Sequence, residues 1–138
     1  MTKDELKKQL KRYLDIKAEA EQIQELRDAL LDPKGANLDA MPRSSGPGNP
    51  VEAARKQREA LAREYDRKEQ ELLAEMACIE SMIEGLDPIE RKLMRHRYLE
   101  GLTWEKVCVA INYGWTNTHE MHGRILDKLV AKYGEVIV

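Results

Sequence analysis

The sequence predicts an all-α protein, a long helical hairpin or coiled-coil arm followed by a compact C-terminal helix-turn-helix domain. Three observations lead there. Apolar residues recur at steps of three and four along two long charged segments, which is the mark of a helix with one buried stripe. The stretch DPKGANLDAMPRSSGPGNP, with four of the five prolines and three glycines, separates those segments. The last third carries Pro, Gly, Thr and Asn at positions that start and stop short helices. Charged residues make up 35% of the 138-residue chain and aromatics 5%, with no Phe, a mix suited to long solvated helices around a thin core.

The first helix is expected over about 3–31. Leu6, Leu10, Tyr13, Leu14, Ile16, Ala20, Ile23, Leu26, Leu30 and Leu31 supply its apolar stripe, and charges of both signs fill the other faces. At 1.5 Å per residue it would be about 43 Å long, too long and too charged to be buried on more than one side. Residues 32–50 form a flexible Pro/Gly linker, because proline lacks the amide donor and glycine raises the entropy cost of any regular element. The second helix is expected over about 51–85. Val51, Ala54, Leu61, Tyr65 and Leu72 follow heptad-like steps, with Arg58 and Lys68 in the same register. The stripe then shifts phase through Leu72, Met76, Ile79, Ile83 and Leu86. The arm, residues 1–86, therefore pairs loosely in its early half and tightly in its later half. Pairing within one chain and pairing between chains both fit the pattern, and the second makes the protein a homo-oligomer, a dimer, through the arm.

The C-terminal domain spans 87–138. Asp87-Pro88 opens a helix through PIERKLMRHRYLEG, with Ile89, Leu93, Met94, Tyr98 and Leu99 inward and Gly101 as its stop. Thr103 caps the next helix, whose inward residues are Trp104, Val107, Cys108 and Ile111. Asn112 ends it at a position that calls for left-handed backbone. A short turn leads to the last helix, about Trp115 to Lys132, with Thr118, Met121, Ile125, Leu126 and Leu129 inward.

Net charge is -2. From Pro88 onward eight Lys/Arg face six Asp/Glu, so the C-terminal domain is mildly basic and the arm mildly acidic. Neither balance names a partner by itself. Cys78 and Cys108 both lie in apolar periodic segments and read as small buried hydrophobes in a reduced compartment. No signal peptide and no membrane span are expected, which together point to the cytoplasm.

Two sharp readings compete for NYGWTNTHEMHGR, residues 112–124. His119 and His122 lie three apart with Glu120 between them, so they share a helix face as metal ligands do. A third ligand would have to come from His96 or Cys108 on another helix, so no metal and no cofactor are expected. The other reading sets Trp115, Thr116, Asn117, His119 and Glu120 at the front of a helix in the major groove of double-stranded DNA. There Asn can pair with adenine, Thr can touch a thymine methyl, and Glu can accept from cytosine. No Lys or Arg occurs between Lys106 and Arg124. Phosphate contacts would then fall to Arg91, Lys92, Arg95, Arg97, Lys106, Arg124, Lys128 and Lys132. No catalytic group is expected, since the chain has no Gly-rich phosphate loop, nucleophile pattern or paired carboxylates in a predicted cleft.

The segment DPIERKLMRHRYLEGLTWEKVCVAINYG, followed by RILDKL, is similar to region 4 of primary-type sigma factors, which reads promoter DNA. Over nearly the whole chain the pattern resembles phage late-transcription regulators of the ArpU and RinA type. Met41-Pro42-Arg43, Arg97-Tyr98, Gly101-Leu102-Thr103-Trp104, Tyr113 and His122-Gly123-Arg124 with Leu126 and Leu129 carry that resemblance. It implies a DNA-binding phage or prophage regulator that activates late genes by sigma-like promoter recognition, in a bacterial host cell, with host RNA polymerase as a further partner. The chain departs from the family's Gly-Tyr-Ser turn and basic first helical turn with Asn112-Tyr113-Gly114 and the acidic Glu120. A different class remains open. It is a coiled-coil oligomer of phage packaging or assembly, whose helix-turn-helix docks protein or DNA without regulating transcription.

Overall fold

Thr2 starts the first helix with a reciprocal cap. Its Oγ1 accepts from the Glu5 amide at 3.2 Å, and Glu5 Oε2 accepts from the Thr2 amide at 3.0 Å. The computed structural model describes residues 1–31 and 50–134, and every element in them is helical, with no strand. In order they are α1 (Lys3–Lys11), α2 (Tyr13–Leu31), α3 (Pro50–Glu84), α4 (Pro88–Met94) running into a π-helical turn (Arg95–Leu99), α5 (Trp104–Ile111) and α6 (Trp115–Tyr133). The linker 32–50, apart from Pro50, lies outside the described residues, as does Met41-Pro42-Arg43.

The helix expected over 3–31 is interrupted at Arg12. Its backbone stays helical (φ -74°, ψ -14°), but its amide is shared between the carbonyls of Lys8 and Gln9, both at 3.2 Å. That sharing tightens one turn without ending the rod.

The chain divides into two compact units. One joins Met1–Lys17 to the chain from Glu75 onward, and the other is Ala18–Ala74. α2 and α3 each contribute to both.

In the first unit a single apolar cluster gathers Leu6, Leu10 and Tyr13 with Ile79, Met82, Ile83 and Leu86 of the α3 end. Leu93, Met94, Tyr98, Val107, Ile111, Met121, Ile125, Leu126 and Leu129 complete it. The expected boundary between 86 and 87 does not describe this packing, because α1 lies against α6 and Lys3 pairs with Asp127 at 2.8 Å. Leu6 and Leu10 are fully buried there. Truncating either to Ala would cost about 2–5 kcal/mol, so α1 belongs to this core energetically as well as geometrically. The Tyr13 hydroxyl donates to Glu80, and Arg12 lies 3.6 Å from Glu75, which ties the start of α2 to the late half of α3.

The second unit is thinner. Ala20 and Ile23 of α2 and Ala62 and Leu72 of α3 are its buried apolar residues among those described. Polar contacts pair the two helices within one chain. Arg27 Nη1 donates to Asp66 at 2.7 Å and to Glu69 at 2.5 Å, and Lys68 meets Glu19 at 3.2 Å. Leu26, Leu31, Leu61 and Leu73 stay exposed. Leu61 was expected on the seam, but the small Ala62 takes the buried position, so the helices meet there through little apolar surface. Cys78 also departs from expectation. It is exposed and Cys108 half-buried, because Ile79, Met82 and Ile83 set the inward face of α3 and position 78 falls beside it.

No helix among the described residues is long and apolar enough to cross a membrane.

Candidate functional site

The site is built from the sequence between the π turn and the middle of α6. In the segment expected as one helix over PIERKLMRHRYLEG, the α-helical bonds give way after Met94. The Glu100 amide bonds to the Arg95 carbonyl at 2.9 Å, and the Leu102 amide to that of His96 at 3.0 Å. Gly101, at φ +75°, ends this wide turn, and a Cβ there would meet Leu14 Cδ1 at 2.5 Å. The left-handed backbone favours glycine here, and any side chain would in addition have to push the end of Leu14 aside. Arg97 Nη1 donates to the Leu102 carbonyl at 2.9 Å and holds the chain as it enters α5.

Thr103 caps α5, its Oγ1 accepting from the Lys106 amide at 3.4 Å. α5 ends as its sequence predicts. Asn112 takes φ 60°, ψ 43°, its amide bonds to the Val109 carbonyl at 3.2 Å, and that of Tyr113 bonds to the Cys108 carbonyl at 3.1 Å. These bonds satisfy the last carbonyls of α5 and turn the chain directly into α6, whose Thr118 amide reaches the Gly114 carbonyl at 2.9 Å.

α6 then splits into two faces. Thr118, Met121, His122, Ile125, Leu126 and Leu129 are buried, while Thr116, Asn117, Glu120 and Arg124 are exposed and share one side by their spacing. Trp115 is exposed beside them, and Tyr113 and Val109 leave further apolar surface open on the turn and on α5.

His119 is not on the open face. Its ring lies between two tryptophans, with centroids 4.3 Å from Trp115 and 4.5 Å from Trp104, and its Nε2 is buried without a hydrogen-bond partner among the described residues. The stack continues inward. Trp104 meets His122 edge-on at 4.7 Å, the Arg97 guanidinium lies 4.6 Å from the Trp104 ring centre, and the Tyr98 hydroxyl is 2.7 Å from His122 Nε2. Burial, with help from the charges of Lys7, His119, Arg97 and Lys3, pushes the His122 pKa down to about 4. Burial pushes the Tyr98 hydroxyl up to about 12. At neutral pH the pair is an uncharged hydrogen bond inside the core.

The two histidines that share metal-like spacing are thus occupied by ring stacking and by Tyr98. Among the described residues, no three His, Cys, Asp or Glu side chains are placed so that they could hold a metal ion together.

The basic residues divide. Arg95 pairs with Glu84 and holds that carboxyl below the usual range, while Arg91 Nη1 lies 3.4 Å from the Glu84 carbonyl. Lys128 is held by Glu90 at 2.8 Å and Asp87 at 3.7 Å, which raises its own pKa. Arg97 is turned to Leu102 and Trp104. Lys132 lies 5.3 Å from the Tyr133 ring centre. Lys92, Lys106 and Arg124 are exposed, with no carboxylate partner among the described residues.

Sequence reasoning missed the roles of Tyr98 and Trp104 in one ring stack with the histidines. A signal was present: an aromatic residue opens both α5 and α6, and the histidines follow Trp115 at helical spacing.

No family model, no curated protein and no solved structure matches the chain.

Proposed function

We propose that the protein is a DNA-binding transcription regulator of phage or prophage origin, acting in the bacterial cytoplasm. In this reading α5 and α6 form a helix-turn-helix that reads promoter DNA in a sigma-like way. The hairpin of α2 and α3 forms a coiled-coil arm that dimerises or meets host RNA polymerase. One observation carries the reading. Two helices are joined by a left-handed Asn112 turn, and the second presents Trp115, Thr116, Asn117 and Glu120 on an exposed face over a buried one. The resemblance of residues 87–114 to sigma region 4 supports the promoter and the activating role.

The ion pairs refine the phosphate contacts. Of the eight candidate cations, Arg95 and Lys128 are engaged by carboxylates and Arg91 and Arg97 by backbone carbonyls, which leaves Lys92, Lys106, Arg124 and Lys132 with neither kind of partner among the described residues. Binding by one chain then releases few counterions, and log affinity falls against log salt with a slope of about -3 to -4. A second chain would double that footprint.

Titration of duplex DNA from low to physiological salt tests the reading. Binding in the range of about 10⁻⁴ to 10⁻⁶ M on random sequence, lost steeply as salt rises, is the expected result. No detectable binding at low salt and roughly 100 µM protein would end the DNA reading. Footprinting with reporter activation then distinguishes regulation from mere binding, and the mass in solution tests the dimer.

A second reading has its own support. Val109 is 82% exposed and shares an open hollow with Tyr113, an apolar surface suited to a protein partner in packaging or assembly. Chains that bind no duplex but co-assemble through this surface would favour it.

A further inference from the structure

We infer that Trp115 is the group that sets base preference, that its target is the C5-methyl of thymine, and that His119 is the positioning residue that holds it. The inference rests on the DNA reading and adds a residue and a ligand chemistry to it.

Trp115 is the first residue of α6, and it is 55% exposed. An exposed aromatic is common enough by itself. This one is braced. Its ring lies 4.3 Å from His119, the His119 ring 4.5 Å from Trp104, and the Trp104 ring 4.6 Å from the Arg97 guanidinium, which is anchored to the Leu102 carbonyl. A side chain already immobilised loses little rotamer entropy when it meets a ligand.

The chemistry around it narrows that ligand. Between Lys106 and Arg124 there is no Lys or Arg, so the side chains of this turn bring no fixed positive charge to a phosphate. An indole has one donor, no acceptor and a large apolar rim. The thymine methyl is the apolar feature that base pairs present in the major groove, and apolar side chains contact it there. Thr116 and Asn117, exposed beside Trp115, can supply hydrogen bonds to neighbouring base edges.

His119 fits a supporting role better than a reading one. Its Nε2 is buried and has no partner among the described residues, and its ring is covered by indoles on two sides. It reaches the DNA through Trp115.

The experiment uses the full chain and duplexes selected from a random pool, remade with uracil in place of thymine. Each contacted methyl is expected to contribute about fourfold in affinity, so uracil duplexes bind weaker by that factor per contacted site. Trp115→Ala should weaken the thymine duplex and bring the two to equal affinity. His119→Ala should reduce the ratio, and His119→Phe, which keeps a ring in the stack, should restore it. Circular dichroism checks that each variant stays helical.

Equal binding of thymine and uracil duplexes by the wild-type chain overturns the inference and leaves the DNA reading standing. A ratio that survives Trp115→Ala overturns it in the same way, whereas a pool that yields no preferred sequence, or tighter binding to single strands than to duplex, overturns both the inference and the promoter-reading role. A ratio unchanged in His119→Ala overturns the positioning role. Failure of the wild-type chain to bind any duplex removes the DNA reading and this inference together.

Discussion

At the scale of single residues, the main finding is a histidine that the fold keeps uncharged. His122 is 6% exposed and bonded to the Tyr98 hydroxyl, and its pKa is lowered from the ordinary 6.5 to about 4. The unfolded chain therefore binds a proton below pH 6.5 that the folded chain refuses. The folded state keeps the full benefit above pH 6.5 and loses it as pH falls toward 4, by at most about 3 kcal/mol. Urea unfolding at pH 7 and pH 4.5 should show that loss. His122→Gln should be less stable at pH 7 but flatter over the same window, which separates the histidine from carboxylates that titrate lower. An equal slope in both proteins would assign the pH dependence elsewhere. The same scale explains why His119 and His122 look like ligands on paper. Spacing puts both on adjacent positions of one helix, but only the neighbours from the π turn and α5 reveal that the rings are already occupied.

At the scale of elements, the junction between the π turn and α5 is where the fold is least forgiving. Gly101 combines φ +75° with a would-be Cβ contact of 2.5 Å to Leu14 Cδ1. Gly101→Ala strains the backbone and displaces the leucine, and should lower stability by about 1–3 kcal/mol. The measure is a fall in the denaturant midpoint at unchanged m value. A midpoint equal to that of the wild type would mean that Leu14 yields and the backbone tolerates the turn. Most element boundaries were legible beforehand, because their causes are local. Pro50 at the start of α3, Asp87-Pro88, the Thr103 cap and Asn112 in left-handed backbone all behave as their chemistry predicts. The π turn and the Arg12 interruption were not legible, since Gly101 marks only where the first ends and no proline or glycine lies within either.

At the scale of the whole molecule, the core does not follow the chain order. Leu6, Leu10 and Tyr13 share one apolar cluster with α4, α5, α6 and the end of α3. Removing two fully buried leucines costs about 4–10 kcal/mol, comparable with the total stability of an ordinary domain at about 5–15 kcal/mol. A fragment beginning at Glu75 should therefore melt without cooperativity, or far below the full chain, when followed by circular dichroism. A fragment that melts at the full chain's temperature would show that α1 is an accessory and not part of the core. The candidate DNA face depends on this core, because α6 offers its open side only while its buried side is covered, in part by α1.

Local patterns in the chain were enough for the helical class, the two long amphipathic helices, and the succession of helix, turn and helix over 104–133. Those features follow from side-chain period, capping and backbone preference, which act within a few residues. Tertiary packing, in contrast, sets which cations are engaged by carboxylates, turns Cys78 outward, and brings α1 into the C-terminal core. It also decided that His119 lies between Trp104 and Trp115, away from the open face. Those outcomes depend on which surfaces meet across tens of residues of chain, and local periodicity holds no record of that choice.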